Sequence, residues 1–400
     1  MSKIAVGIDI GTYQVKVVIS QHQQNSQMPK IIGVGFSESK GLRHGYIINQ
    51  TDAIRSIRKA IRQAEKNART KVDRAYISIG GIGLVSQIAT GNVIISRADN
   101  EVTDLDVEKA MKDSQDNLPK NFIQNRQIIH SIPVEYKVDS KNILGSDPIG
   151  MKGVKLEVKV LYITSLSHHL QELIQAIQNS GIEIIDVMAA PLAAGLVTLS
   201  KTEKIAGCIL TNIGSETVSI VVYEDDIPIS LEVFPIGAND ITNDIALGLK
   251  VSIEEAEKIK IDRDQGHTPS EVPKKKLDDI IESRMSDIFD LIDAHLKKID
   301  KSGLLPAGII ITGGGSKMID TKDLARARLK LPSKVAQVIN SKSDDSHIKI
   351  KDATWAVSYG LCVFGLYADD SDSTIGLKVG KKIFKTIIRT ISNWFKRFLP

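Results

Sequence analysis

The chain has 400 residues, 42% of them hydrophobic and 25% charged, enough apolar matter for two to four domains at about 100–200 residues each. That balance excludes a disordered, collagenous or disulfide-stapled protein, and its two cysteines, Cys208 and Cys362, both in apolar surroundings, fit a reducing compartment. The net charge of +4 is unevenly spread: from Lys378 onward there are seven bases and no acid, which leaves 45 bases and 48 acids, or −3, on residues 1–377. A slightly acidic body with a basic end is not the profile of a nucleic-acid-binding fold, so no nucleic-acid partner is expected. Asp9 and Gly11 interrupt any signal-peptide pattern in residues 1–20, and no stretch offers the ~20 predominantly apolar residues of a membrane-spanning helix.

In chain order, residues 3–8 and 13–19 are β-rich and flank Asp9-Ile10-Gly11-Thr12, a strand–turn–strand hairpin. A strand follows near 30–36, then a helix capped by Thr51 and running to Ala68, with Ile54, Ile57, Ile61 and Ala64 on one face. Strands are expected at 74–80 and 84–95, a helix at 103–117 opened by Thr103 with Asp106 three positions on, and strands at 126–138 and 154–164 around a Gly/Pro-rich turn. A helix at 166–179 and a strand at 182–188 complete this half. The second half opens with a near-copy of the first hairpin, Gly207–Ser215 echoing Ile4–Thr12, and both are followed by alternating apolar residues. Helices at 238–249, 252–261 and 275–300 lead to a buried strand at 308–312, and a final helix spans Asp352 to Ala368. The duplication implies two α/β halves of similar topology, each contributing a glycine turn to a shared cleft.

A glycine turn between strands brings backbone N–H groups close to a phosphate with no Cβ in the way. Two such turns face to face can clamp one nucleotide. Asp9 suits a Mg²⁺ ion held through water, Thr12 offers a hydroxyl, and Lys16 on the returning strand offers an ammonium to phosphate oxygens. Gly313, Gly314, Gly315 and Ser316, at a strand's C-terminal end, suit adenosine and phosphate in the same cleft.

These elements, with Glu254–Lys260 and the order in which they occur, resemble the actin superfamily of ATP-binding folds. Within it, Ile129–Tyr136, Asp147–Val158, and Pro235–Asn239 leading to Asp244-Ile245-Ala246 resemble the FtsA family of bacterial cell-division proteins, over nearly the whole chain. The resemblance implies an α/β, actin-like duplicated fold with an inserted subdomain at 82–162 and a C-terminal amphipathic helix. Its first core subdomain would comprise 1–81, 163–204 and 352–368, and its second 205–235 and 305–351. Residues 236–304 would form the outer subdomain of the second half, 369–378 a linker and 379–400 the membrane-targeting helix. Carried over by motif, Gly11, Thr12, Tyr13, Gln14 and Lys16 form the first phosphate loop, and Gly214, Ser215 and Glu216 the second, after Asn212. Glu257 and Lys260 would flank ribose and adenine, with Gly314, Gly315 and Ser316 on the adenosine side. The family's role is to polymerise with ATP and Mg²⁺, to tether FtsZ filaments to the cytoplasmic face of the membrane at the division site, and to recruit later divisome proteins.

Two positions depart from the superfamily pattern. Asn212 stands where most members have Asp, and Ala190 precedes Pro191-Leu192-Ala193 where some relatives have Glu. Both differences remove negative charge from where metal and water would be organised, so the expectation is at most a slow ATPase. The basic tail is readable without any family. At about 100° per residue, Ile383, Ile387, Ile391, Trp394 and Phe398 fall within about 80° of one another, and Phe384, Ile388, Phe395 and Leu399 widen the stripe. Lys382, Lys385, Arg389, Lys396 and Arg397 share the opposite face. An in-plane helix on an anionic lipid surface follows. Lys274-Lys275-Lys276 reads as a solvated helix start, His168-His169 lacks metal-ligand spacing, and Trp355 reads as core. The rival readings, a sugar-kinase-like phosphotransferase and a shape-determining actin-like filament, leave the tail or the inserted segment without a use.

Overall fold

The computed structural model describes residues 3–23, 28–143, 147–267, 272–318, 320–339 and 352–367. The basic tail, with every residue expected above to contact the membrane, the linker and residue 368 lie outside the described residues. The chain divides into two compact units, one built from Met1–Gly83, His169–Ile227 and Leu231–Leu366, the other mainly from Leu84–His168.

The first unit opens with β1 (Ile4–Ile10), β2 (Gln14–Gln21) and β3 (Lys30–Glu38), an antiparallel meander. A two-residue ribbon, β4 (Leu42–Arg43) and β5 (Tyr46–Ile47), leads into α1 (Gln50–Ala68) and β6 (Arg74–Ile79), which runs parallel to β1. The cap of α1 is Asn49, not Thr51: Asn49 is extended and its side chain accepts the Asp52 N–H at 3.2 Å, whereas Thr51 lies inside the helix. Ala53, Ile57, Ala60, Ile61 and Ala64 form the buried stripe, while Ile54 stays at its margin. The stripe lies on β3, where a Cβ on Gly35 would come within 2.0 Å of the Ala60 carbonyl oxygen. Glycine is required there by the closeness of helix and strand.

The inserted unit contains β7 (Val85–Ile94), α2 (Asp104–Asp116), α3 (Lys120–Ile123), β8 (Arg126–Val138), β9 (Lys141–Asn142) and β10 (Lys155–Leu166), with strand order β7-β10-β8-β9. Thr103 and Asp106 form the capping box that opens α2. Asp106 is fully buried, and its second carboxylate oxygen accepts from Ser96 Oγ at 2.8 Å. The α2 helix lies on the sheet over a core of Val102, Ala110, Leu156, Val158, Val160 and Tyr162.

The chain returns to the first unit through α4 (Ser167–Asn179), β11 (Glu183–Ala189), α5 (Ala190–Thr198) and α6 (Lys201–Ala206). The second half follows: β12 (Cys208–Ile213), β13 (Val218–Glu224), β14 (Ile227–Phe234), α7 (Ala238–Leu249), α8 (Ile253–Asp264) and α9 (Lys274–Lys298). It ends with β15 (Gly308–Thr312), a 3₁₀ turn at Gly314–Lys317, α10 (Thr321–Leu329) and β16 (Ser333–Val335). The first sheet has the order β11-β6-β1-β2-β3 and the second β16-β15-β12-β13-β14. Counted within each half, both read 5-4-1-2-3, and in both the fourth strand is parallel to the first. The duplication expected from the two hairpins therefore extends to whole sheets. A separate 3₁₀ turn, Ala353–Trp355, precedes α11 (Ala356–Tyr367). Contacts at glycine seat α11: a Cβ on Gly7 would meet the Ser358 carbonyl oxygen at 2.1 Å, and one on Gly360 the Ala193 carbonyl oxygen at 1.8 Å.

Candidate functional site

Both hairpin turns are closed in the same way. Gly11 N–H donates to the Gln14 carbonyl at 3.2 Å, and Gly214 N–H to that of Thr217 at 2.9 Å. In each half the chain leaving the third strand folds back onto the turn. Ser39 donates its N–H to the Tyr13 carbonyl at 3.0 Å and its Oγ to that of Gly11 at 2.6 Å. In the second half, the Ala238 and Asn239 N–H groups that open α7 donate to the Gly214 and Ser215 carbonyls at 2.9 and 2.7 Å.

A cavity of about 710 Å³ is lined by both turns, within the ~300–1,000 Å³ usual for small-molecule sites. From the first hairpin it receives Asp9, Gly11, Thr12, Tyr13, Gln14 and Lys16, and from the second Asn212, Gly214 and Ser215. The α8 helix contributes Glu257 and Lys260, and the turn after β15 contributes Gly313, Gly314 and Gly315. Two residues of the expected set do not line it. Ser316 donates its Oγ to the Gly313 carbonyl at 2.7 Å and so shapes the glycine turn from within. Glu216 accepts the His44 main-chain N–H on Oε2 at 2.5 Å.

Asp9 and Lys16 are cross-strand partners in the first hairpin. Burial pushes the Asp9 carboxyl above the usual range, against the pull of Lys16 and a hydrogen bond from Ser78 Oγ at 2.8 Å. Burial likewise draws Lys16 down, against Asp9 and Asp352. The Lys16 ammonium donates to the Thr354 carbonyl at 2.8 Å and lies 5.7 Å from the centre of the Trp355 ring. The equivalent pair in the second hairpin is Asn212 and Ser219. Both charges of the first hairpin are thus replaced by neutral polar groups in the second. On α8, the Lys260 ammonium meets Glu257 Oε2 at 2.6 Å, Thr242 Oγ1 at 2.7 Å and the Ala238 carbonyl at 3.1 Å, which ties α8 to α7 beneath the cavity.

Trp355 is not core. Asp352 caps a turn of its own, accepting the Thr354 N–H at 2.9 Å, so the indole falls before the helix begins, half-buried at the cavity wall and edge-on to Phe36. Sequence reasoning also missed Gly45, Ser78, Gly81, Lys317 and Asp352 in the lining. The Asp-Ala-Thr cap before Trp355 was the available signal for the last of these. Lys317 pairs with Asp352 at 2.6 Å; burial opposes the Asp352 carboxylate, but this contact and the bonds from Thr354 hold it below its ordinary range.

The sequence model described as "Cell division protein FtsA" matches residues 209–360, and that described as "SHS2 domain inserted in FTSA" matches residues 83–164. The cell division protein FtsA of Bacillus subtilis (strain 168) is 30% identical over 411 residues, covering 98% of this chain and 89% of the relative. Among solved structures, the PilM-PilN type IV pilus biogenesis complex aligns with a TM-score of 0.66 at 16% identity, covering 90% of this chain and 98% of that one. MreB5 of Spiroplasma citri bound to ADP aligns at 0.50 with 12% identity, covering 90% and 96%. These structures share the actin-like fold with this chain. With the duplicated sheets, the inserted unit and a full-length relative in agreement, the chain belongs to the FtsA family of bacterial cell division proteins.

Proposed function

We propose that the chain binds Mg²⁺·ATP in this cavity and, with nucleotide bound, polymerises and tethers FtsZ filaments to the cytoplasmic face of the membrane at the division site, where it recruits later division proteins. The observation that carries the nucleotide reading is the convergence of two identically closed hairpin turns and a glycine turn on one cavity of about 710 Å³. A structure of the same fold, MreB5, is bound to ADP. The turns at Gly11–Gln14 and Gly214–Ser215 would cradle phosphates, with Thr12 and Lys16 as side-chain donors. Glu257, Lys260, Gly314 and Gly315 would border ribose and adenine. Asp9 fits a Mg²⁺ ion delivered with the phosphates: it is a half-buried carboxylate on the cavity wall, and Mg²⁺ keeps most of its water while taking one or two carboxylates. The basic, amphipathic segment 379–400 would make the lipid contact.

Gly314 supplies the test. Gly314 lines the cavity, and a Cβ there meets no atom within 4 Å, so a side chain can be added at this wall without a clash at its first carbon. Gly314→Phe should abolish ATP binding in equilibrium titration while leaving the melting temperature near that of the parent. Unaltered binding in the folded variant overturns the assignment.

A further inference from the structure

The β4–β5 ribbon pairs Leu42 with Ile47 and Arg43 with Tyr46, leaving His44 and Gly45 as its two turn residues. Both have positive φ, 48° and 81°, as a type I′ turn requires. The first half braces this tip. Gly45 N–H donates to Thr12 Oγ1 at 3.0 Å, Ile82 N–H donates to the His44 carbonyl at 3.4 Å, and a Cβ on Gly45 would lie 2.4 Å from Gly81 Cα. From the second half, Glu216 meets the same tip. Its Oε2 accepts the His44 N–H at 2.5 Å, and its carbonyl oxygen lies 3.2 Å from His44 Nδ1. Glu216 directly follows Ser215 in the second hairpin turn, so whatever holds Glu216 also holds that turn.

We propose that the His44–Glu216 contact is a latch across the cleft, and that Glu216 is a positioning residue that sets the separation of the two hairpin turns. A carboxylate accepting a main-chain N–H belongs to the strong, charge-assisted class of hydrogen bond. Its donor is mounted on a tip too tightly packed to follow if the second turn moves away. Nucleotide must pass between the turns to enter or leave, so the latch governs exchange. This last step rests on the nucleotide reading above; the tie between the halves does not.

The experiment therefore has two arms. Spin labels at Arg62→Cys on α1 and Lys258→Cys on α8, both exposed, report the distance between the halves, and the native Cys208 and Cys362 are buried away from the reagent. Without nucleotide, Glu216→Ala should broaden the distance distribution and move it outward, while Glu216→Gln, which keeps an acceptor oxygen, should stay close to the parent. In the second arm, a fluorescent ATP analogue should leave Glu216→Ala about tenfold faster than the parent, the factor expected for one charge-assisted hydrogen bond. If the parent binds no analogue, the nucleotide reading fails and the distance arm alone decides the latch. A Glu216→Ala distribution that coincides with the parent's overturns it, as does an unchanged release rate in a protein that binds.

Discussion

His130 on β8 is buried in the inserted unit, and desolvation lowers its pKa from 6.5 to about 3. The unfolded chain takes up this proton below pH 6.5, whereas the folded chain resists it until about pH 3, so stability is lost as the pH falls through that window. Between pH 6.5 and 5 the loss is about 2 kcal/mol, at about 1.4 kcal/mol per pH unit. Hydrogen exchange of the β8 and β10 core amides should show this weakening, and His130→Gln should remove most of it; an equal loss in the variant would refute the assignment. His295 on α9 is lowered to about 4 by burial, with Lys298 adding to the effect, and contributes the same sign in the other unit. Asp186 is raised to about 6 by burial and works in the opposite direction. At the cavity, the neutral Asn212–Ser219 pair bears on turnover. Phosphoanhydride hydrolysis needs its developing charge stabilised by metal and its attacking water oriented, and the Asn212–Ser219 pair supplies no charge for either, while Glu216 does not line the cavity. With ATP bound as proposed, the expected turnover is well under the ~10 s⁻¹ enzyme median. Asn212→Asp should raise steady-state phosphate release several-fold. No gain would mean that this position is not what limits hydrolysis.

Among the elements, the contact of α1 with β3 depends on glycine. Gly33 and Gly35 let the helix approach so closely that an added Cβ would fall 2.6 Å from Ala68 Cβ and 2.0 Å from the Ala60 carbonyl oxygen. Gly35→Ala must push α1 off the sheet, and overpacking of this kind costs about 1–3 kcal/mol. A fall of several degrees in the melting temperature is expected, and a melting curve matching the parent's would contradict the packing described. The same elements show what the amino-acid order makes legible. Strands β1, β2, β12 and β13, the capping box of α2 and the stripe of α1 follow from alternation, caps and 3.6-residue spacing. Strand β14 escapes although Ile227, Ile229, Leu231 and Val233 alternate with Pro228, Ser230 and Glu232, because Pro228 argues against a strand unless the strand is known to lie at a sheet edge, where β14 does lie. β16 is three residues long, too short for any period to register. In α5 seven of nine residues are buried, so no polar face marks it as a helix. At the site, local glycine turns were readable, and long-range meetings were not. The His44–Glu216 contact joins residues 172 positions apart, and the path of Trp355 to the cavity wall depends on how α11 is seated.

At the scale of the whole molecule, no described helix is long and apolar enough to cross a membrane. The lipid contact proposed above rests instead on the basic, amphipathic sequence after residue 378. Each base near an anionic surface contributes about 1 kcal/mol, and the apolar stripe adds about 25 cal/mol per Å² buried. Removing residues 379–400 should abolish sedimentation with anionic liposomes, and Ile391→Asp, which puts a charge in the middle of the stripe, should do so without shortening the chain. If the Asp variant still pelleted, the stripe would not be the anchor. The inserted unit carries a different consequence. Its first strand and its last are hydrogen-bonded neighbours, with Val85 paired to Thr164. The points at which the polypeptide departs from its host and rejoins it are therefore about 5 Å apart. A module whose two ends meet can be exchanged, enlarged or lost by recombination with little demand on the surrounding sheets, since a short bridge closes the gap. For the experimenter the same geometry marks Gly83 and Ser165 as a natural pair of splice points, where a foreign domain with adjacent termini could be carried by an otherwise intact scaffold.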